Sequence, residues 1–394
     1  MFISTQDVQV RLQYFDPPAR VDPRADMAVR LPGWVQPLLT WLTAKPAPGE
    51  QAPGRKPGYY VFAAFAATFG GCGLSSLVLL DLSFHHLLAW LLLPAGLIAS
   101  SSGLGLFQVV IFHHCAHGTV FKTPARNRTA GRLISAILLF KYFDSYRHEH
   151  MIHHNPTKLF TMEDEFTDFV VNICNFSSAM SRAQLWRDLI VMFFSPVFHC
   201  RFMIKRIRGG LNSPNRTYNL IGIGVWSGLI AGSIAAHVFI LFAVAWLLPV
   251  SVLLQIATVL RILCEHRVPA IEIIEARGTE IVCHATAGVF AGAPLPRPGL
   301  GFPRSALAWR LWWANMLIVQ GFVRSFVLVG DAPCHDFHHR RPGKKWTNYI
   351  HARQADQDAG CPGYPLNYVE TWGLFRAIDQ NFAALAAAPS GLIG

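Results

Sequence analysis

The sequence predicts an all-α integral membrane protein, with four transmembrane helices in two hairpins beneath a cytosolic helical cap. Three observations predict this. Of the 394 residues, 52% are hydrophobic and only 14% charged, with a mean hydropathy of +0.32; soluble domains carry about 25% charged residues. The apolar residues are gathered into runs that reach the roughly 20 residues needed to cross a bilayer. The basic residues gather on one side of those runs.

The first thirty residues are polar and hold Pro17, Pro18 and Pro23. They lack the basic-then-apolar pattern of a signal peptide, so insertion is expected through internal spans. Trp34, Val35, Leu38, Trp41 and Leu42 follow helical spacing and predict an interfacial helix. The first span is expected at about 59–80 and the second at 84–112, with Asp81, Leu82 and Ser83 as the turn between them. A block from Leu220 to Cys264 is too long for one span and is divided into 220–241 and 244–264. Pro249 is expected to kink the last of these.

Charge sets the orientation. The turn at 81–83 and the stretch 236–245 contain no Lys or Arg, whereas 113–217 contains fourteen. The positive-inside rule places 113–217 in the cytosol, and four spans return both termini to that side. The net charge of +11 then reflects loops near anionic lipid rather than nucleic-acid binding. Two further apolar segments do not clearly span: 185–204, interrupted by Arg187, Asp188, Pro196 and Arg201, and 306–329, which carries Arg310, Asn315, Gln320 and Arg324. The eight cysteines contain no CxxC pair. That weighs against a disulfide framework, a zinc knuckle or an attached iron–sulfur module.

Against this apolar background the histidines stand out. "HHCAH" gives His113 and His117, four apart and so on one helix face. "HMIHH" gives His150, His153 and His154, and "HDFHH" repeats that spacing at His335, His338 and His339. His266 ends the fourth span. A lone histidine is more often a surface or hydrogen-bonded residue, which covers His85, His86, His199, His237, His284 and His351; it does not cover three clusters together. With four spans, all nine clustered histidines lie at the cytosolic membrane face. For His335, His338 and His339 to stay there, 306–329 must be interfacial or re-entrant rather than a fifth crossing.

Nine imidazoles exceed what one metal ion holds. Zinc takes about four ligands and a haem iron one or two from protein. The set suits two ions with positions left open. "HEHMI" is not the HExxH of zinc peptidases, since Ile152 occupies the second histidine position. The Glu-x-x-His pairs of soluble di-iron bundles are absent. An imidazole-rich di-iron site, suited to oxygen activation on an apolar substrate, remains. A non-enzymatic metal transporter or sensor would place ionisable groups within its spans, where only His237 lies clearly inside an apolar block; a membrane cytochrome would place axial histidines at mid-depth, whereas the clusters sit at the membrane edge.

These three clusters resemble the histidine boxes of the membrane fatty acid desaturase and hydroxylase superfamily, and the resemblance covers roughly residues 60–355. Gly118 after box one also looks familial. "LRILCEHRV" is similar to the segment of bacterial acyl desaturases that supplies an additional ligand, here His266. "PGKKWTNYIHARQ" resembles their segment after box three. The resemblance implies two Fe2+ ions held by His113, His117, His150, His153, His154, His266, His335, His338 and His339, with His114 and His148 as weaker candidates. It implies O2 as co-substrate, a lipid-, CoA- or carrier-linked acyl chain, and electrons from a separate donor such as ferredoxin or cytochrome b5. Glu265, Asp331, Asp336 and Asn348 are the candidates for orienting the metal-bound imidazoles. Box one often carries an acidic residue second, where this chain has His114. The expected activity is desaturation of an acyl or lipid-like chain, with hydroxylation by a related enzyme as the alternative. The basic run Arg201, Lys205, Arg206 and Arg208 is a candidate dock for an acidic donor or carrier, or a contact for anionic lipid. The expected organisation is a cytosolic segment at 1–58, a membrane catalytic domain at 59–355 and a cytosolic tail at 356–394, in a multi-pass inner or plasma membrane protein if bacterial.

Overall fold

The computed structural model describes residues 22–80, 87–299, 301–389, 391 and 392. The expected turn at 81–83, the first residues of the second span, His85, His86 and the polar stretch 1–21 lie outside them.

Among the described residues, four helices are long and apolar enough to cross a membrane: Pro57–Leu80, Leu91–Ala116, Arg216–Ala235 and Phe239–Glu265. The first begins on a proline, whose missing N–H is no loss in a first helical turn. It packs closely against the second through small residues, with Gly71 facing the backbone of Ser100 and Gly96 facing Ser75; close packing of this kind substitutes for a hydrophobic driving force in lipid. The second helix widens into π-type turns over Leu106–Phe112 before it delivers His113.

The third and fourth spans start earlier than expected. Asn215 accepts a hydrogen bond from Thr217 N and caps the third at Arg216. The break between them lies at 236–238, within the stretch 236–245 that holds no Lys or Arg. His237 adopts a left-handed φ of 57°. Its N–H donates to Ile234 O at 3.0 Å, and Val238 N–H donates to Ser233 O at 2.9 Å. This is a Schellman closure with histidine in the usual glycine place, so no Gly or Asn marks it in the sequence. Pro249 lies at the start of a wide turn, Pro249–Leu253, that follows a similar one at Ala243–Leu247.

The segment 185–204 forms parts of two helices, Arg182–Phe193 and Pro196–Leu211, separated by Ser195, whose hydroxyl caps Phe198 N at 3.2 Å. Each is shorter than a span. The helical stretch Phe302–Val327 continues into Ala332–Arg340 across a bend of 75°. Gly330 makes the bend: its φ is +58°, and an added Cβ would lie 2.3 Å from Val110 Cγ2. Arg324 donates to Gly330 O at 2.7 Å and to Trp41 O at 2.8 Å, which holds the bend against the N-terminal helix Gln36–Thr43. That helix buries Leu39 and Leu42 and leaves Trp34 just before it, Leu38 and Trp41 exposed, as an interfacial helix requires.

One element departs from the all-helical expectation. Gly288–Phe290 and Glu370–Trp372 form a two-stranded parallel pair, with Val289 opposite Thr371. Three-residue strands carry no readable periodicity. The residues after 355 are well packed: helix Leu374–Ala387 buries Ile378, Phe382 and Leu385, and Asn381 donates to Leu263 O at 3.0 Å.

Candidate metal centre

Nine imidazoles converge where the second and fourth spans end. They divide into two groups, His113, His117, His150, His154 and His338 in one and His153, His266, His335 and His339 in the other. Within each group one ring nitrogen per residue lies within 4.8 Å of all the others.

Local structure explains the placement. His113 and His117 sit one turn apart at the close of the second span. Gly118, at φ +73°, ends it: Gly118 N donates to Cys115 O and Thr119 N to His114 O, both at 3.0 Å. His150 and His153 occupy the last turn of Phe143–His153, with His154 at its end. His335, His338 and His339 lie on His335–Arg340. In both HxxHH boxes the i,i+4 pair falls in one group and the remaining histidine in the other. His150 and His154 join the first group while His153 joins the second. His335 and His339 join the second while His338 joins the first. Each box therefore serves both groups. His266 ends its helix in extended backbone, bridged to Thr286, with Phe166 stacked on its ring at 4.7 Å.

The ring nitrogens are sorted by function. The Nε2 atoms point inward and meet: His113 to His338 at 2.7 Å, His150 to His117 at 3.0 Å and to His154 at 3.1 Å, His153 to His266 at 2.9 Å, His335 to His339 at 3.1 Å. Several Nδ1 atoms point outward to partners. His150 reaches Glu165 at 2.7 Å, His153 reaches Asp164 at 2.6 Å, His113 reaches the Tyr146 hydroxyl at 3.2 Å and His338 the Tyr349 hydroxyl at 3.1 Å. Asp164 is itself held by Phe160 N and Phe166 N.

Burial lowers the proton affinity of His117, to a pKa of about 2, helped by the neighbouring His150. Burial and adjacent imidazoles hold His154, His335, His338 and His339 far below the ordinary histidine value. For His153, burial acts in the same direction but Asp164 outweighs it and raises the pKa. For Glu165, burial pushes upward, and the hydrogen bond from His150 outweighs it and holds the carboxyl below its usual range.

These rings are therefore mostly neutral, with lone pairs crowded into two small spaces. At His150 and His153 a carboxylate takes the Nδ1–H, so the bare Nε2 of each faces the other ring nitrogens of its group, where it can bind a cation. The donor set thus fits two divalent ions of borderline softness.

The other candidate residues stand apart. His114 is buried, but its Nε2 pairs with Asp331 at 2.8 Å and its ring stacks on Trp346. His148 is exposed. Glu265 pairs with Arg261 at 2.6 Å and lies 4.0 Å from His335 Nδ1. Asp331 supports His114, which belongs to neither group. Asp336 faces away, to Arg353 at 2.7 Å. Asn348 precedes helix Tyr349–Asp358 and lines a cavity of about 540 Å³, which also touches Asp331, Trp346 and Tyr349. The residues within hydrogen-bond distance of imidazoles of the two groups, Asp164, Glu165, Tyr146 and Tyr349, are not among the sequence candidates. The acidic run Glu163, Asp164 and Glu165 soon after box two was the available signal.

Comparison with known proteins gives two findings. The family model for fatty acid desaturases matches residues 88–372. A fatty acid desaturase of Bacillus subtilis (strain 168) is 26% identical over 135 residues, which are 33% of this chain and 36% of that protein. The match thus spans about a third of the relative's length.

Proposed function

The chain belongs to the fatty acid desaturase family, and from that membership we propose that it is an O2-dependent non-haem di-iron desaturase that introduces a double bond into an acyl or lipid-like chain. The observation that carries the proposal is the pair of converging imidazole groups, with Glu165 and Asp164 behind His150 and His153. His113, His117, His150, His154 and His338 would hold one ion, and His153, His266, His335 and His339 the other. Bound iron, with O2 and two electrons from a separate donor such as ferredoxin or cytochrome b5, supplies the oxidising power needed to take hydrogen from an unactivated C–H bond.

The chain's own residues do the rest. Asp164 and Glu165 fix the tautomer and direction of His153 and His150, so that Nε2 of each faces inward as a lone pair. Tyr146 and Tyr349 do the same for His113 and His338 with neutral partners. The apolar clusters on either side, including Phe112, Phe166, Val110 and Leu263, exclude water, which protects a reactive centre from side reactions.

The proposed topology has two membrane hairpins, with the site and both termini in the cytosol and Phe302–Val327 as a re-entrant segment. Its basis is the absence of Lys and Arg from 236–245, their density over 113–217, and the 75° bend that leads into box three. The catalytic domain is proposed to occupy about residues 59–355.

The test is iron analysis of purified protein, followed by mass spectrometry of products after expression with candidate acyl substrates. An alkene two mass units below the substrate is expected. An alcohol would replace this reading with the hydroxylase one, and an intense haem absorption band would overturn both.

A further inference from the structure

We infer that His114, Trp346, Tyr60 and Tyr59 form a route by which one-electron oxidation leaves the metal centre for the protein surface, an inference that rests on the oxygenase reading above. The His114 ring lies 5.0 Å from that of His113 and 5.5 Å from that of His338. Asp331 holds His114 Nε2 at 2.8 Å, and the imidazole lies nearly parallel to the indole of Trp346, with centroids 4.8 Å apart and planes at 11°. Trp346 meets Tyr60 at 4.9 Å, and Tyr60 meets Tyr59 at 5.3 Å. Exposure rises along the way: Trp346 is buried, Tyr60 half-buried, and Tyr59 is 51% exposed beneath the Arg55 guanidinium.

The chemistry of the rings gives the route its meaning. Indole and phenol yield an electron to a strong oxidant, whereas a phenyl ring does not. Tyr146 is also close to the centre, hydrogen-bonded to His113 and stacked on His150 at 5.2 Å. Its further contact is Phe112, which leads on to Phe140 and Phe143, so oxidation on that side meets phenyl rings. His114 lies edge-on to His113 and stacked on Trp346, the placement a bridge needs.

The electron balance identifies when the route is used. Reduction of O2 to two waters needs four electrons and four protons. The donor supplies two electrons, and desaturation supplies two more with two protons. Without substrate, the missing two are taken singly from Trp346, which is refilled by Tyr60 and then by Tyr59. Tyr60 gives up its phenolic proton as its electron leaves and recovers one when Tyr59 reduces it, and Tyr59 releases its proton to solvent. A soluble thiol returns one electron and one proton to Tyr59. Two such passes turn two thiols into one disulfide and, with the donor's two electrons and four protons drawn from solvent, complete the two waters. Because phenols are oxidised only by strong oxidants, the route does not carry electrons inward from a low-potential donor.

The test uses iron-loaded protein, reduced with dithionite and exposed to O2 without acyl substrate. Oxygen addition to side chains is mapped by peptide mass spectrometry, and organic radicals are recorded by electron paramagnetic resonance. Wild type is expected to show a transient tyrosyl signal and labelling at Tyr59 and Tyr60, both suppressed by glutathione. Trp346→Phe should lose that labelling and gain it at His113, His338 and Tyr146; Trp346→Tyr should retain it. Tyr59→Phe should turn over acyl substrate normally while label accumulates at Tyr60. If Trp346→Phe fails to hold iron, Tyr60→Phe takes its place and must spare Tyr59. Equal labelling of Tyr59 in wild type and the blocked variant, or none in wild type, overturns the inference. A protein that takes up no iron or consumes no O2 overturns the oxygenase reading instead.

Discussion

Asp164 shows how much of the centre depends on single atoms outside it. One oxygen takes the His153 proton at 2.6 Å and the other takes Phe160 N at 2.8 Å. The chain after box two is thereby folded back against the box. Replacing Asp164 by Asn keeps the shape but removes the charge that holds His153. Metal affinity is expected to fall by about 10–100-fold, measured by competition with a chelator. His153→Ala and His338→Ala, one from each group, are expected to abolish turnover and lower bound iron; full turnover in either would end its assignment as a ligand. His114→Gln, by contrast, should leave the iron content near wild type, because Asp331 and Trp346 occupy that side chain. The nine histidines were legible because imidazole at three- and four-residue spacing is rare by chance. Asp164 and Tyr146 were not, since an acid or a phenol near a box looks like any other loop or helix residue until the chain folds back.

At the scale of elements, the boxes work because each helix is stopped at a set place. Gly118 ends the span that carries His113 and His117, and Gly330 turns the chain into box three. Gly330→Ala forces a side chain into a left-handed backbone and onto Val110. It is expected to cost about 1–3 kcal/mol, seen as a lower melting temperature in detergent. Box three is held from behind by a buried ion pair. Arg353 and Asp336 are both almost fully buried and joined at 2.7 Å, and Arg353 also reaches Glu370 at 2.9 Å on the second strand. Glu370 is paired in turn with Lys45, which binds Asp22 at 2.7 Å. Arg353→Met would leave Asp336 buried and unpaired, a loss of about 3–5 kcal/mol; the double replacement Arg353→Met with Asp336→Leu should recover much of it. Asp336 was expected to orient an imidazole, yet it faces the opposite way because it lies one residue from His335, on the other side of a short helix.

Across the whole molecule, the proposed topology makes one side of the membrane carry the entire centre. Cys200 is exposed on Pro196–Leu211 and is a native reporter for that side. A cysteine placed at Lys345, which is exposed just after box three, should react with an impermeant maleimide from the same side as Cys200. One placed at Val238, in the break between the third and fourth spans, should react from the other side. Labelling of position 345 with position 238 would make Phe302–Val327 a true crossing and separate box three from the other boxes.

Membrane residence, the four apolar helices and the nine imidazoles were written in composition and spacing, because burial in lipid and metal ligation each demand residue types that little else requires. Span ends were read less well, since His237 closes a helix in a conformation that no local residue advertises. Which histidine joins which group was not legible at all. The helical phase puts residues i and i+4 together and turns i+3 aside, but the partner of the one turned aside lies on another helix. His153 meets His266 after 113 residues, and His113 meets His338 after 225. Such distances are closed by the packing of the spans, the bend at Gly330 and the ion pairs behind box three, and a linear pattern carries no record of them.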